Sequence, residues 1–246
     1  MKNKSLFGIF AICVIYLLAT FLNQPLCYVL SLSVLPLSLL SLLFGILFFN
    51  LFSLSSEFLK GRDFIKKNVL QIAIVLLGLK ISLSQLANVS LKSLSIIVTS
   101  IIFIYLTYLV IVRIWPTQKE ISKLIGIGTA ICGVTAIIAS STVIKSKDND
   151  IGTSVLVIIL WGTLAVLFYP IFIEWYFITD IAKGIFLGIG IHDTSQVLAA
   201  AVVHNDLYQN DKVIEIATIT KLLRNLFLAF LIPTLVILKN RQQQMR

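Results

Sequence analysis

The feature that most constrains this chain is the recurrence of apolar runs long enough to cross a bilayer. A helix needs about 20 mainly apolar residues to span roughly 30 Å of hydrocarbon. Eight candidates meet that length: Leu6–Leu22, Cys27–Phe49, Asn68–Ala87, Leu94–Val112, Leu124–Ile144, Ile151–Ile173, Gly184–Val203 and Ile216–Leu238. The connections between them are short and carry no low-complexity tract. Residues 1–246 therefore read as a single transmembrane domain of the all-α class, a polytopic helix bundle. Composition agrees: 58% of residues are hydrophobic and 13% charged, against about 25% charged in an average soluble domain.

Lys2 and Lys4 precede the first run, as in a secretory signal. That run has no A-x-A-like cleavage site and leads straight into another hydrophobic segment, so it reads as a retained helix. Cys13, Cys27 and Cys132 lie in or beside spans and imply no disulfide framework.

The net charge of +9 is explained by where the charges fall. With a cytoplasmic N-terminus, the inside segments hold Lys2, Lys4, Lys60, Arg62, Lys66, Lys67, Arg113, Lys119, Lys123, Lys183, Lys239, Arg241 and Arg246. The outside segments hold Lys92, Lys145, Lys147 and Lys212. This bias predicts both termini in the cytoplasm, and nucleic acid is not an expected partner. A re-entrant segment would change the assignment of the later loops.

Three cations remain inside the spans: Lys80, Lys221 and Arg224. Each costs about 2.5–3.5 kcal/mol at the bilayer centre on insertion scales, which marks all three as functional candidates. Lys221 is near enough to a span end for snorkelling to be an alternative. Arg224 lies one turn deeper on the same face. The acid placed well inside a span is Asp193, beside His192. Three cations against one anion favour a negatively charged ligand; the alternative is that Asp193 pairs with Arg224 or Lys80 to hold helices together.

Two spans are rich in glycine. "LIGIGTAICGVTAIIASSTVI" carries Gly126, Gly128 and Gly133 with Thr129, Cys132 and Thr135, and its "IGIG" recurs as "LGIG" at Leu187–Gly190. Close helix packing is one explanation of such glycines. The other is a pair of discontinuous helices, broken at Gly126 and Gly128 and at Gly188 and Gly190, whose exposed backbone N–H groups face an anion at mid-membrane. In "GIGIHDTSQVLAAA", His192, Ser195, Gln196 and Ala199 share one helical face, and Asp193 can join Gln196. His192 could carry a proton, since an unperturbed imidazole titrates near pH 6.5; a satisfied, non-titrating histidine fits equally.

No H-E-x-x-H, G-x-S-x-G or phosphate-loop motif occurs. His192 and His204 are poorly spaced for a metal. The expectation is a protein that is not an enzyme and carries neither cofactor nor metal.

The segments "GTAICGVTAIIASSTVIKSK" (Gly128–Lys147), "WGTLAVLFYP" (Trp161–Pro170), "GIHDTSQVLAAA" (Gly190–Ala201) and "TKLLRN" (Thr220–Asn225) resemble the YeiH-type family of bacterial inner-membrane proteins, whose name records a proposed role in sulfate export. "LLGLKISLSQL" (Leu76–Leu86) also fits, with Lys80 where the family commonly carries arginine. The resemblance implies a multi-pass secondary transporter of inverted-repeat fold in the plasma membrane, moving a small anion such as sulfate or a related sulfur oxyanion. Carried over by motif, the substrate-binding candidates are Thr129, Cys132, Gly133, His192, Asp193, Ser195 and Gln196, with Lys80, Lys221 and Arg224 as charge partners. Asp193 replaces the family's more usual glutamate. The family's chains continue for about three more helices beyond the point where this sequence ends. The alternative function is therefore a scaffold or a half-assembly, acting as a homo-oligomer or with a complementing chain, its other partner being membrane lipid.

Overall fold

The computed structural model describes residues 3–29, 37–51, 83–116 and 119–244, with Asn68, Val69, Ile72, Val75 and Leu76. The described residues are mostly helical, with no strand among them. They fall into two compact units, residues 1–81 with 202–211, and residues 82–201 with 212–246.

In the first unit, α1 (Asn3–Val29) packs on α2 (Leu37–Leu51). Asp206 caps the start of α2, accepting from the Ser38 hydroxyl at 2.7 Å and its amide at 3.3 Å.

The second unit contains the two glycine-rich spans. Helix α3 (Leu83–Ile114) takes up the last residues of the expected third span and continues through the fourth. It is followed by α4 (Lys119–Ala130) and α5 (Val134–Ile144), then by α6 (Asp148–Tyr176). Next come α7 (Asp180–Gly190), α8 (Thr194–Tyr208), which runs on into the first unit, α9 (Asp211–Leu226) and α10 (Leu228–Gln244). By length and composition, residues 89–114, 148–176 and 211–237 can each cross a membrane.

Leu124–Ile144 is interrupted, as expected, but it does not cross. At 12 and 11 residues, α4 and α5 are each about 17 Å long at roughly 1.5 Å per residue, half a bilayer. They fold back on each other: Leu124, Ile137 and Ile158 form one buried cluster joined by Val134, Ile144 and Ile151. A Cβ on Gly128 would meet Ile137 Cδ1 at 2.9 Å, so glycine there permits the two arms to touch. Lys119–Ile121 and Ile144–Lys147 line one cleft, which puts both ends of the hairpin at the same face. Lys145 and Lys147 therefore share a face with Lys119, correcting the sequence expectation that separated them. Beyond that point α6 carries the chain across, so Lys183 lies toward the opposite face, not beside Lys119.

The second span has the opposite sense. Thr179 caps α7 through its hydroxyl, which accepts from the Ala182 amide at 3.3 Å. Phe186 packs among Tyr169, Phe172 and Phe177 at the far end of α6. Lys183 forms a 2.6 Å ion pair with Glu174. Alongside α7, in the same direction, runs α9: the glycines at 184 and 188 lie against Ile216 and Thr220. Asn225 Nδ2, near the end of α9, donates to Thr194 Oγ1 at the start of α8 (3.2 Å). The start of α8 thus lies beside the end of α9, and the two spans enter from opposite faces, the arrangement an inverted repeat requires.

Candidate functional site

The hairpin tips meet. Gly133 lies within van der Waals reach of His192: an added Cβ would stand 3.3 Å from the His192 carbonyl carbon and 3.3 Å from Ile158 Cγ2. Ile158 is ten residues into α6, about 15 Å along a helix rising roughly 1.5 Å per residue, so the tips lie near the middle of the bilayer.

Each interruption has its own local cause. Gly133 has φ of 67°, a left-handed conformation that L side chains rarely adopt, and its amide donates to Gly128 O at 2.9 Å. Glycine at this position, the N-cap of α5 with ψ of −124°, lets the chain leave α4 and turn into α5. In the second hairpin, Ile191 is extended. Asp193 then caps α8, accepting from the Ser195 amide at 2.8 Å and from the Ser195 hydroxyl. The breaks fall at Ile131–Gly133 and Ile191–Asp193, about one turn beyond the positions expected. Gly126 and Gly128 lie within α4, and Gly188 and Gly190 within α7. Their role is close approach: Gly126 faces Tyr108, Gly188 faces Thr220, and Gly190 faces Tyr169.

The two cations on α9 hold the tips from within. Lys221 is 0% exposed and Arg224 1%, so neither snorkels. Lys221 Nζ donates to the carbonyls of Ile131 (3.2 Å), Ile191 (2.9 Å) and His192. Arg224 Nε donates to Ala130 O at 2.9 Å, and its terminal nitrogens donate to the carbonyls of Ile189 and Thr129. All six acceptors belong to the C-terminal ends of α4 and α7 or to the breaks beyond them, where a helix leaves carbonyls unpaired and its dipole is negative. A lysine has three N–H donors and an arginine five. Lys221 is fully used, and Arg224 keeps two N–H groups in reserve.

Two helix N-termini and two C-termini, each carrying about half a charge, cancel. Lys221 and Arg224 against Asp193 then leave roughly one positive charge in a setting of low dielectric.

The other expected site residues are distributed around this centre. Thr129 takes part through its carbonyl. Cys132 is buried beside the start of α5, in a cluster with Ile131 and Ala136. The side chain of Gln196 lies against α6, where Nε2 donates to Ile159 O at 3.3 Å and to Thr163 Oγ1 at 3.4 Å. His192 Nδ1, Gln196 Oε1 and Asn225 Oδ1 are buried polar atoms with no hydrogen-bond partner. Lys80 lies outside the described residues.

Four contributors escaped the sequence reading of the site: Gly162 and Thr163, which seat Gln196, and the pair Thr194 and Asn225. All four lie in or beside motifs already noted, but nothing in their spacing says which helix they face.

The family described as Conserved hypothetical protein 698 matches residues 7–246. The chain belongs to this family. It is similar to a UPF0324 membrane protein of Streptococcus agalactiae serotype V, 34% identical over 198 residues, covering 80% of this chain and 58% of that protein. A UPF0324 membrane protein of Streptococcus pneumoniae strain R6 is 33% identical over 184 residues, 75% of this chain and 54% of that protein. One from Bartonella henselae is 33% identical over 207 residues, 84% of this chain and 58% of that protein. The chain thus spans little more than half the length of these relatives. No solved structure matches it. Together with the membrane-length apolar helices, the family makes this a multi-pass membrane protein.

Proposed function

We propose that this chain is part of a secondary transporter that binds a small anion where the two hairpin tips meet, moving sulfate or a related sulfur oxyanion across the bacterial plasma membrane. One observation carries the reading: two buried cations lie at mid-membrane depth, with Asp193 the one acid at the tips among the described residues, amid helix termini whose partial charges cancel. The roles differ from those the sequence suggested. Lys221 has no donor left for a ligand and acts through its charge. Arg224 has two N–H groups to offer, and the amide ends of α5 and α8, with Ser195, Gln196 and His192, are the further candidates. Asp193 serves as a helix cap. This reading contains no covalent step, so the protein acts as a carrier and not as an enzyme.

Orientation follows from the hairpins. Arg113, Lys119, Lys123, Lys145 and Lys147 share one face, and α10, which packs along α5, brings Lys239 and Arg241 to it. Lys92, Lys183 and Lys212 lie toward the other. Seven against three, where the expected topology gave six against four over the same residues, supports a cytoplasmic location for the hairpin α4–α5 and the C-terminus.

The test is flux of labelled sulfate into proteoliposomes, with thermal stability measured on the same samples. Arg224→Ala abolishes uptake, whereas Arg224→Lys, which retains charge, keeps part of it. Uptake no faster than in protein-free liposomes, or wild-type flux in a folded Arg224→Ala protein, would overturn the proposal.

A further inference from the structure

The open end of the first hairpin holds a second basic site. A cleft of about 400 Å³ is lined by Lys119, Glu120 and Ile121 at the start of α4, by Ile144, Lys145, Ser146 and Lys147 after α5, and by Asp150 on α6. Three cations against two carboxylates leave it positive. Its depth is that of the membrane surface, since α4 and α6 begin there and α5 ends there, with Trp115 exposed just before α4, an aromatic residue typical of headgroup level. Ile121 and Ile144 give it apolar walls.

Three further observations make it a built cleft and not a chance grouping of surface lysines. Ser146 Oγ is buried with no hydrogen-bond partner. The N-cap of α6 is Lys147, with no side-chain cap, so the first amides of that helix are not satisfied by a side chain. Lys145 is held in the left-handed region at φ 61°, a conformation that glycine adopts freely and lysine does not; its amide and that of Ser146 both donate to Ser141 O.

We infer that this cleft binds the phosphate of an anionic phospholipid, with Lys145, Lys147 and Ser146 on the phosphate oxygens and the glycerol against Ile121 and Ile144. A basic pocket between helices at a membrane face is suited to such headgroups. A lipid seated there ties both arms of the hairpin to α6 at the end remote from the tips. This inference does not rest on the transport reading.

The experiment is native mass spectrometry of the detergent-purified protein titrated with phosphatidylglycerol or phosphatidylcholine, alongside thermal shifts. The expected result is retention and stabilisation by phosphatidylglycerol only, with affinity reduced roughly fivefold for each lysine removed in Lys145→Gln and Lys147→Gln. Lys92→Gln, an exposed lysine elsewhere on α3, should leave affinity unchanged. Equal loss in Lys92→Gln would show a general surface attraction and overturn the assignment, as would equal retention of phosphatidylcholine. Displacement of the lipid by millimolar inorganic phosphate would assign the cleft to a soluble anion instead.

Discussion

Replacing Lys221 with methionine keeps side-chain length and removes the charge that joins the two tips. Three carbonyls lose their donor: Ile131 and Ile191 at 3.2 and 2.9 Å, and His192. A buried acceptor left unpaired costs about 1–3 kcal/mol, so the gross loss is roughly 3–9 kcal/mol. Removing the ammonium also relieves the desolvation of a buried ion, several kcal/mol in practice. The net expectation is a loss of about 3 kcal/mol, a large share of the 5–15 kcal/mol typical of a folded protein. At about 2–4 °C per kcal/mol for a chain of this size, unfolding in detergent should shift down by roughly 6–12 °C. The same loosening should expose Cys132, and maleimide labelling of that thiol should accelerate at temperatures well below unfolding. A Lys221→Met protein as stable as the wild type, with unchanged labelling, would refute the argument that this ammonium clamps the two hairpins.

Other expectations follow from the same geometry. Gly188→Ala brings a Cβ to 2.7 Å from Thr220 Cβ and 2.9 Å from Ala217 O, so α7 and α9 must part; a loss of about 1–3 kcal/mol in thermal or denaturant unfolding is expected. Gly162→Ala meets only the flexible end of Gln196; stability should change by less than about 1 kcal/mol, while sulfate flux falls because Gln196 is displaced. Single cysteines at Lys119 and Lys147 should be labelled by an impermeant thiol reagent from the same side of the membrane, and labelling from opposite sides would disprove the re-entrant hairpin.

Much of this arrangement was legible in the sequence. Apolar runs announced the membrane, and glycine-rich polar stretches marked both interrupted spans. Charges too buried to ignore picked out Lys221 and Arg224. What could not be read is direction. Leu124–Ile144 has the length and hydropathy of a crossing, and its fold-back is set by contacts of Leu124 with Ile137 and Ile158 that no periodicity reveals. The breaks were placed a turn too early because Gly126, Gly128, Gly188 and Gly190 are packing glycines. The interruptions depend instead on Gly133 in a left-handed turn, on Asp193 as a cap, and on carbonyl capture by side chains some 30 to 95 residues distant. Asp193 was expected to face a cation or a ligand; what no spacing showed is that its Oδ1 accepts from Ser195 and caps α8.

The most direct measurement of the central claim is ligand protection of Cys132, in protein whose Cys13 and Cys27 are replaced by serine. The thiol stands at the start of α5, beside both buried cations. If an oxyanion occupies the meeting point of the tips, saturating sulfate slows maleimide modification severalfold while gluconate at equal ionic strength does not. The same rate in sulfate and gluconate would contradict an anion site there.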